Sequence, residues 1–155
     1  MRDFRIWSAL LRAVVGGVWL FEAYPQLTAR DSYLGQGFLS LVQSMAAGNP
    51  WRFYREFLGS VVLPHASVFS YLTLVGNLLV GLCLLLGLLT PYSAFVGLLL
   101  NVNYGLAAGW MDRMTYSLNG LLLVAEIVII AQSAGRTAGV DAILADGRPK
   151  RTRRY

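Results

Sequence analysis

Cysteine and histidine are almost missing from this chain, with one of each in 155 residues. A single thiol, Cys83, can close no disulfide within the chain and build no dithiol relay. In the middle of an apolar run it packs as a small hydrophobe. One cysteine and one histidine, His65, also fall short of any metal-ligand spacing, so no metal site is expected. No glycine-rich phosphate loop sits between a strand and a helix. No haem attachment motif occurs, and His65 has no partner pattern for a Ser/His/Asp nucleophile. Charge is scarce too: charged residues make up 14% of the chain and apolar residues 56%. That balance is far from a soluble average. With no redox centre of its own, the chain could handle electrons only through a bound quinone, another cofactor or a partner subunit.

What is present is four long apolar stretches, Ile6–Leu27, Ala66–Leu89, Tyr92–Gly109 and Tyr116–Ser133. Each supplies about 18–24 residues, and about 20 helical residues cross a ~30 Å hydrocarbon core. A soluble helical core would show apolar stripes with polar faces, whereas these runs are apolar all round. The expected fold is all-α: an integral membrane four-helix bundle with an extracytoplasmic loop containing short interfacial helices. Residues 1–147 form its domain and 148–155 a basic cytoplasmic tail. The first stretch does not read as a cleavable signal peptide, because it holds Arg12 and Glu22 and lacks a small-residue cleavage site.

The net charge of +5 gathers at the ends. Arg2 and Arg5 open the chain, and Arg148, Lys150, Arg151, Arg153 and Arg154 close it. An even number of spans leaves both termini on one side, and the basic bias assigns that side to the cytoplasm of a cell membrane. The tail is read as a topology anchor beside anionic lipid, with no nucleic-acid partner.

Between the first two spans lies a loop of about 38 residues with its own pattern. Leu34, Phe38, Leu41, Val42 and Met45 follow helical spacing. Asn49-Pro50 supplies a cap and first turn for a second short helix from Trp51 to about Val62. Its alternating aromatics and arginines suit the outer interface, apolar face down. Pro64-His65 is expected to start the second span, and Leu89-Thr90-Pro91-Tyr92 to turn tightly into the third. A short helix is expected at Val140–Leu144. Gly16-Gly17 offers a place for close helix approach.

Polar residues inside the spans are costly and therefore informative. At 1.5 Å per residue, Arg12 and Glu126 lie at nearly the same depth, which predicts an ion pair between them. The alternative is that Arg12 snorkels inward and Glu126 is protonated. An outer layer holds Glu22, Asn77, Asn103 and Asn119, which could form a pocket capped by Tyr24, Tyr104 and Tyr116. Asn101 and Asn103 are two apart, so at most one is expected to face that pocket. One reading of the layer is interhelical hydrogen-bond glue. The other is a site for a polar headgroup such as a quinone ring, with Asn77, Asn103, Tyr104 and Asn119 as binding residues and Glu22 as the proton partner. Arg30, Arg52, Arg55, Arg113 and His65 would form an anion-attracting outer rim, with Arg52, Arg55 and His65 as substrate-binding candidates.

Several runs carry a family likeness. They are Val61-Val62-Leu63-Pro64-His65, Gly76-Asn77-Leu78-Leu79-Val80-Gly81-Leu82, and Leu85-Leu86-Gly87-Leu88-Leu89-Thr90. Then come Asn101-Val102-Asn103-Tyr104-Gly105-Leu106-Ala107-Ala108-Gly109 and Ala134-Gly135-Arg136-Thr137-Ala138-Gly139-Val140-Asp141. In order and spacing they resemble the DoxX-like superfamily, and within it the DoxD branch. Asn77 stands where that family commonly has glutamate, and Pro91 where it often has a basic residue. The resemblance implies a four-helix membrane subunit of a thiosulfate:quinone oxidoreductase, oxidising thiosulfate to tetrathionate and passing electrons to quinone. It implies the lipid bilayer, other membrane subunits or self-association as partners. A non-catalytic accessory or assembly subunit of a larger complex fits the glycine-rich faces and basic tail equally well. A small transporter fits less well, because four helices enclose little volume.

Overall fold

The computed structural model describes residues 2–132 together with 140 and 141. Every element among them is helical. The long helices are α1 (Arg2–Thr28), α5 (Ala66–Leu86), α6 (Thr90–Ala108) and α7 (Arg113–Gln132). Between α1 and α5 come the single turn α2 (Arg30–Ser32), α3 (Phe38–Ala47) and α4 (Arg52–Phe57). The tail 148–155 and most of the short helix expected at Val140–Leu144 lie outside the described residues.

Three stretches are long and apolar enough to cross a membrane: Ile6–Thr28, Arg52–Leu86 and Arg113–Gln132. Prolines mark two of the helix boundaries. α1 runs through Pro25 to Thr28, whose hydroxyl bonds the Tyr24 and Pro25 carbonyls. A proline near a helix end removes one N–H without stopping the helix. The second span, α5, begins at Ala66 directly after Pro64-His65, as expected, but it is not separated from the helix before it. A π-turn (Leu58–Val62) and a 3-10 turn (Leu63–His65) carry the helix from α4 into α5, absorbing the proline by local rewinding.

α1 packs on α5 and on α7, and α6 packs on α5 and α7. Gly16 sets the α1–α5 contact: a Cβ there would lie 2.7 Å from the Leu85 backbone N and 2.9 Å from the Gly81 carbonyl. Gly17, by contrast, faces open space. Val15, Trp19, Val80, Leu84, Ala94, Leu122 and Ile129 fill the space between these helices. A second cluster of Phe38, Val42, Tyr54, Leu58, Val62 and Ala107 seats α3 and α4 on the end of α6. The α4 segment is thus half core, although Trp51 and Phe53 remain exposed.

Polar groups close the helix ends. Asn49 is fully buried, and its amide donates to the carbonyls of Leu106 and Ala107 at the end of α6. Its Oδ1 accepts from the Trp51 N–H at 3.0 Å, opening α4. At the other end, Gly87 adopts the left-handed conformation (φ 68°) that ends α5. Asp141 then reaches back to the start of α6. Its two carboxylate oxygens accept from Leu89 N (2.8 Å) and Thr90 N (2.9 Å), and its own N–H donates to Gly87 O.

Candidate functional site

The exterior of the long helices is aliphatic and aromatic: Phe21, Leu72, Leu79, Leu99, Leu121 and Val124 are all exposed. The interior is where the polarity lies, with Arg12, Ser70, Asn77, Asn101 and Glu126 buried. This inside-out distribution suits lipid, where polar side chains must find partners among themselves.

At the centre sits Glu126, 0% exposed. Its Oε1 accepts from Trp19 Nε1 at 2.9 Å and its Oε2 from Asn101 Nδ2 at 2.7 Å. The carboxylate rests against the backbone of α6 at Gly97, where any Cβ would collide with it. A buried carboxyl is tolerable only when its oxygens are hydrogen-bonded, and here each has a donor. The expected pair with Arg12 is therefore corrected. Glu126 takes its partners from Trp19 and Asn101, and among the described residues the salt bridge is the exposed Arg52–Glu56 pair. Among the described residues, the charge of Asp141 acts on Arg12. For Asp141 itself, burial works against ionisation. The Thr90 and Leu89 N–H groups and the Arg12 charge outweigh that, holding the carboxyl below its ordinary value. Depth along each span placed Arg12 level with Glu126 but could not show that Asp141 comes to the start of α6.

Outward from Glu126 opens a cavity of about 420 Å³. Trp19, Asn101 and Leu122 line it beside Glu126, and Glu22, Asn77, Asn103, Tyr104 and Asn119 line its walls. The four residues of the expected outer layer thus share one space with Tyr104, one of its expected caps. Tyr104 donates to Asn77 Oδ1 at 2.8 Å, and Asn77 Nδ2 donates to Gln26 Oε1 at 3.4 Å. Tyr54 donates to the Asn103 side-chain oxygen and reaches its carbonyl at 3.2 Å. Asn119 Nδ2 is tied to Thr115 O at 2.8 Å. The rings of Trp19 and Tyr104 lie 6.2 Å apart and tilted by 44°.

Other expectations about this space need revision. Asn101 and Asn103 both line it, Asn101 bonded to Glu126 and Asn103 to Tyr54. Tyr24 (63% exposed) and Tyr116 (68%) face outward and do not cap it. Tyr33 and Tyr54 from the loop take that place. Burial pushes the Tyr33 phenol up to about 12, so it stays a neutral hydroxyl. Arg52, Arg55 and His65 lie outside the cavity lining: Arg52 pairs with Glu56, and His65 Nδ1 bonds Val61 O at 2.9 Å. Trp19 and Gln26 were overlooked as lining residues. Their spacing with Glu22, three and seven positions from Trp19 to Gln26, marked one helical face.

A second, more open hollow adjoins the first and shares Glu22, Gln26, Tyr33 and Leu41 with it. Ser32, Ser40 and Ser44 make this vestibule polar. Glu22 therefore stands where the vestibule meets the cavity. Among the described residues no cluster of His, Cys, Asp and Glu could hold a metal.

Apolar helices with buried polar side chains between them define a multi-pass membrane protein of all-helical build. Residues 7–152 match the DoxD family, described as "TQO small subunit DoxD", and the chain belongs to that family. Neither a curated protein nor a solved structure matches it.

Proposed function

We propose that this protein is the small membrane subunit of a thiosulfate:quinone oxidoreductase and that its cavity receives the quinone head. The observation that carries the reading is the convergence of Glu22, Asn77, Asn103, Tyr104 and Asn119 on one largely apolar space, in a chain of the DoxD family. A volume of about 420 Å³ falls within the usual range for small-molecule sites. Aromatic and aliphatic walls from Phe38, Leu58, Leu72 and Leu100 suit a ring with an isoprenoid tail.

The overall reaction takes two thiosulfates, one quinone and two protons to one tetrathionate and one quinol. Electrons leave the sulfur substrate and enter the quinone. The two protons reach the quinone oxygens from the vestibule, where Glu22 borders water on one side and the ring site on the other. Arg52, Arg55 and His65 form an outer rim that attracts the anion, and a second subunit supplies the sulfur chemistry. α6 is the fourth membrane crossing. Its polar residues lower its hydropathy but face inward, and the turns on either side oblige it to return between α5 and α7. Both termini then lie in the cytoplasm of a cell membrane.

The experiment is thiosulfate-dependent quinone reduction in membranes with and without this protein. Loss of the activity on deletion, and its reduction by at least about tenfold in Glu22→Gln, is expected. Unchanged reduction on deletion would leave an accessory role instead, and full activity in Glu22→Gln would remove Glu22 as proton partner.

A further inference from the structure

We propose that the cavity opens sideways into the bilayer between α5 and α6, beside α4, and that the isoprenoid tail of the quinone leaves through this opening, framed by Leu72 and Phe57. This rests on the reading of the cavity as a quinone site and gives its ligand a tail path.

A residue that both lines the cavity and is exposed marks a place where interior and exterior meet. Glu22, Leu41, Phe57, Leu72, Asn103 and Leu118 have both properties. Glu22 and Leu41 also belong to the vestibule, beside Ser32, Ser40 and Ser44. Phe57, Leu72 and Asn103 come from α4, α5 and α6, and Leu118 from α7. The α5–α6 seam explains the second group. Gly76 seats α5 on α6, since a Cβ there would lie 3.3 Å from the Leu100 side chain. Leu72 is four residues before Gly76 and Asn103 three after Leu100, so each stands near the seam about one turn closer to α4. On the inner side Tyr104 crosses to Asn77 at 2.8 Å. Leu72, however, is 60% exposed while lining the cavity. The seam is therefore closed at Gly76 and open at Leu72.

α4 forms the far side of this opening. Tyr54 donates to the Asn103 side-chain oxygen and so holds α4 to α6. The Phe57 ring lies 5.6 Å from that of Tyr54 and is 37% exposed while lining the cavity. The two mouths of the cavity thus differ in chemistry. An apolar chain led out through the vestibule would pass its serines and Glu22 and meet water, which is unfavourable. Leu72 lies about 9 Å along α5 from Ala66, within the stretch Arg52–Leu86 that is apolar enough to cross a membrane. A chain passing between Leu72 and Phe57 stays among apolar groups and enters lipid directly. The ring then keeps the Glu22 mouth for protons and the Leu72 mouth for its tail.

The test is photo-cross-linking of the full-length protein in membranes, using a decylubiquinone with an azide at the far end of its tail. Adducts that excess decylubiquinone suppresses should map to the segment from Phe57 to Thr73. Suppressible adducts on Leu41 to Ser44 or on Leu118 to Leu122 instead would overturn the tail path while leaving the quinone site standing. The absence of any suppressible adduct would overturn the quinone site itself. In calorimetric titrations of the detergent-purified protein, Leu72→Trp should fill the opening and weaken decylubiquinone binding at least about tenfold. Leu118→Trp should leave the affinity within about twofold. Equal effects from the two, or none from Leu72→Trp, would overturn the tail path. Because the cross-linking uses the unaltered protein, a variant that fails to fold leaves the result decisive.

Discussion

Two adjacent glycines in α1 have opposite surroundings, which makes them an internal control for the helix packing. A methyl group at Gly16 would lie 2.7 Å from the Leu85 nitrogen, against the 3.4 Å at which Cβ contacts become ordinary. The obstacle is backbone, including the Gly81 carbonyl at 2.9 Å, so no side-chain rotation relieves it. α1 must back away from α5 by about 0.7 Å, and a gap of that size forfeits about a quarter to a half of each dispersion contact it opens. Overpacking of this kind costs about 1–3 kcal/mol. At Gly17 the same methyl meets nothing within 4 Å, and surface substitutions without such features stay within about 0.5 kcal/mol. The assay is equilibrium unfolding in mixed micelles, followed by tryptophan fluorescence, since Trp19 lies on the same helix and is buried. Gly16→Ala should be clearly destabilised and Gly17→Ala close to the parent protein. Equal effects from the two would refute the α1–α5 seam as described.

The other predictions concern the polar ties. Asn49→Ala should cost about 2–3 kcal/mol, because it strips partners from the Leu106 and Ala107 carbonyls and the Trp51 N–H. Faster hydrogen exchange at the Trp51 amide and easier proteolysis before α4 would register it. Asp141→Ala should loosen the α5–α6 turn by about 1 kcal/mol, the usual scale for a lost helix cap. Because the Asp141 pKa is lowered in the folded protein, its cap is fully present above the ordinary carboxylate range. It is lost as pH falls through the lowered value. The protection of the Leu89 and Thr90 amides, relative to their intrinsic exchange rates, should therefore fall at acid pH in the parent and be pH-independent in the variant. Gly97→Ala should crowd Glu126 and destabilise the bundle by about 1–3 kcal/mol, read by the same unfolding assay as Gly16→Ala.

The layout of this protein was legible in its sequence where one rule dominates. Lipid punishes unpartnered polar groups, so Asn77 is buried and Asn119 half-buried, and depth put them in one layer with Glu22 and Asn103, which line the same cavity while staying exposed. The glycine reading held for Gly16 because a close helix contact needs it, while Gly17 carries no such constraint. What sequence could not give were partners set by the angular position of a residue on its helix. Depth made Arg12 and Glu126 look like a pair, but Trp19 and Asn101 reach the carboxylate first. Asn49 looked like a local cap and is also a long-range tie, because only folding brings the end of α6 beside it. Tyr54 seemed to belong to a membrane-surface helix, yet it reaches Asn103 because the π-turn at Leu58–Val62 carries α4 over the cavity.

The central claim is that the space between Glu22 and Glu126 holds the quinone ring. An azido-quinone cross-linked in membranes and mapped by mass spectrometry tests it directly. The account predicts adducts on the segments bearing Trp19 to Gln26, Asn101 to Tyr104 and Thr115 to Leu122, suppressed by excess decylubiquinol. Adducts confined to outward-facing residues such as Leu79, Leu99 and Val124, unaffected by competitor, would contradict it.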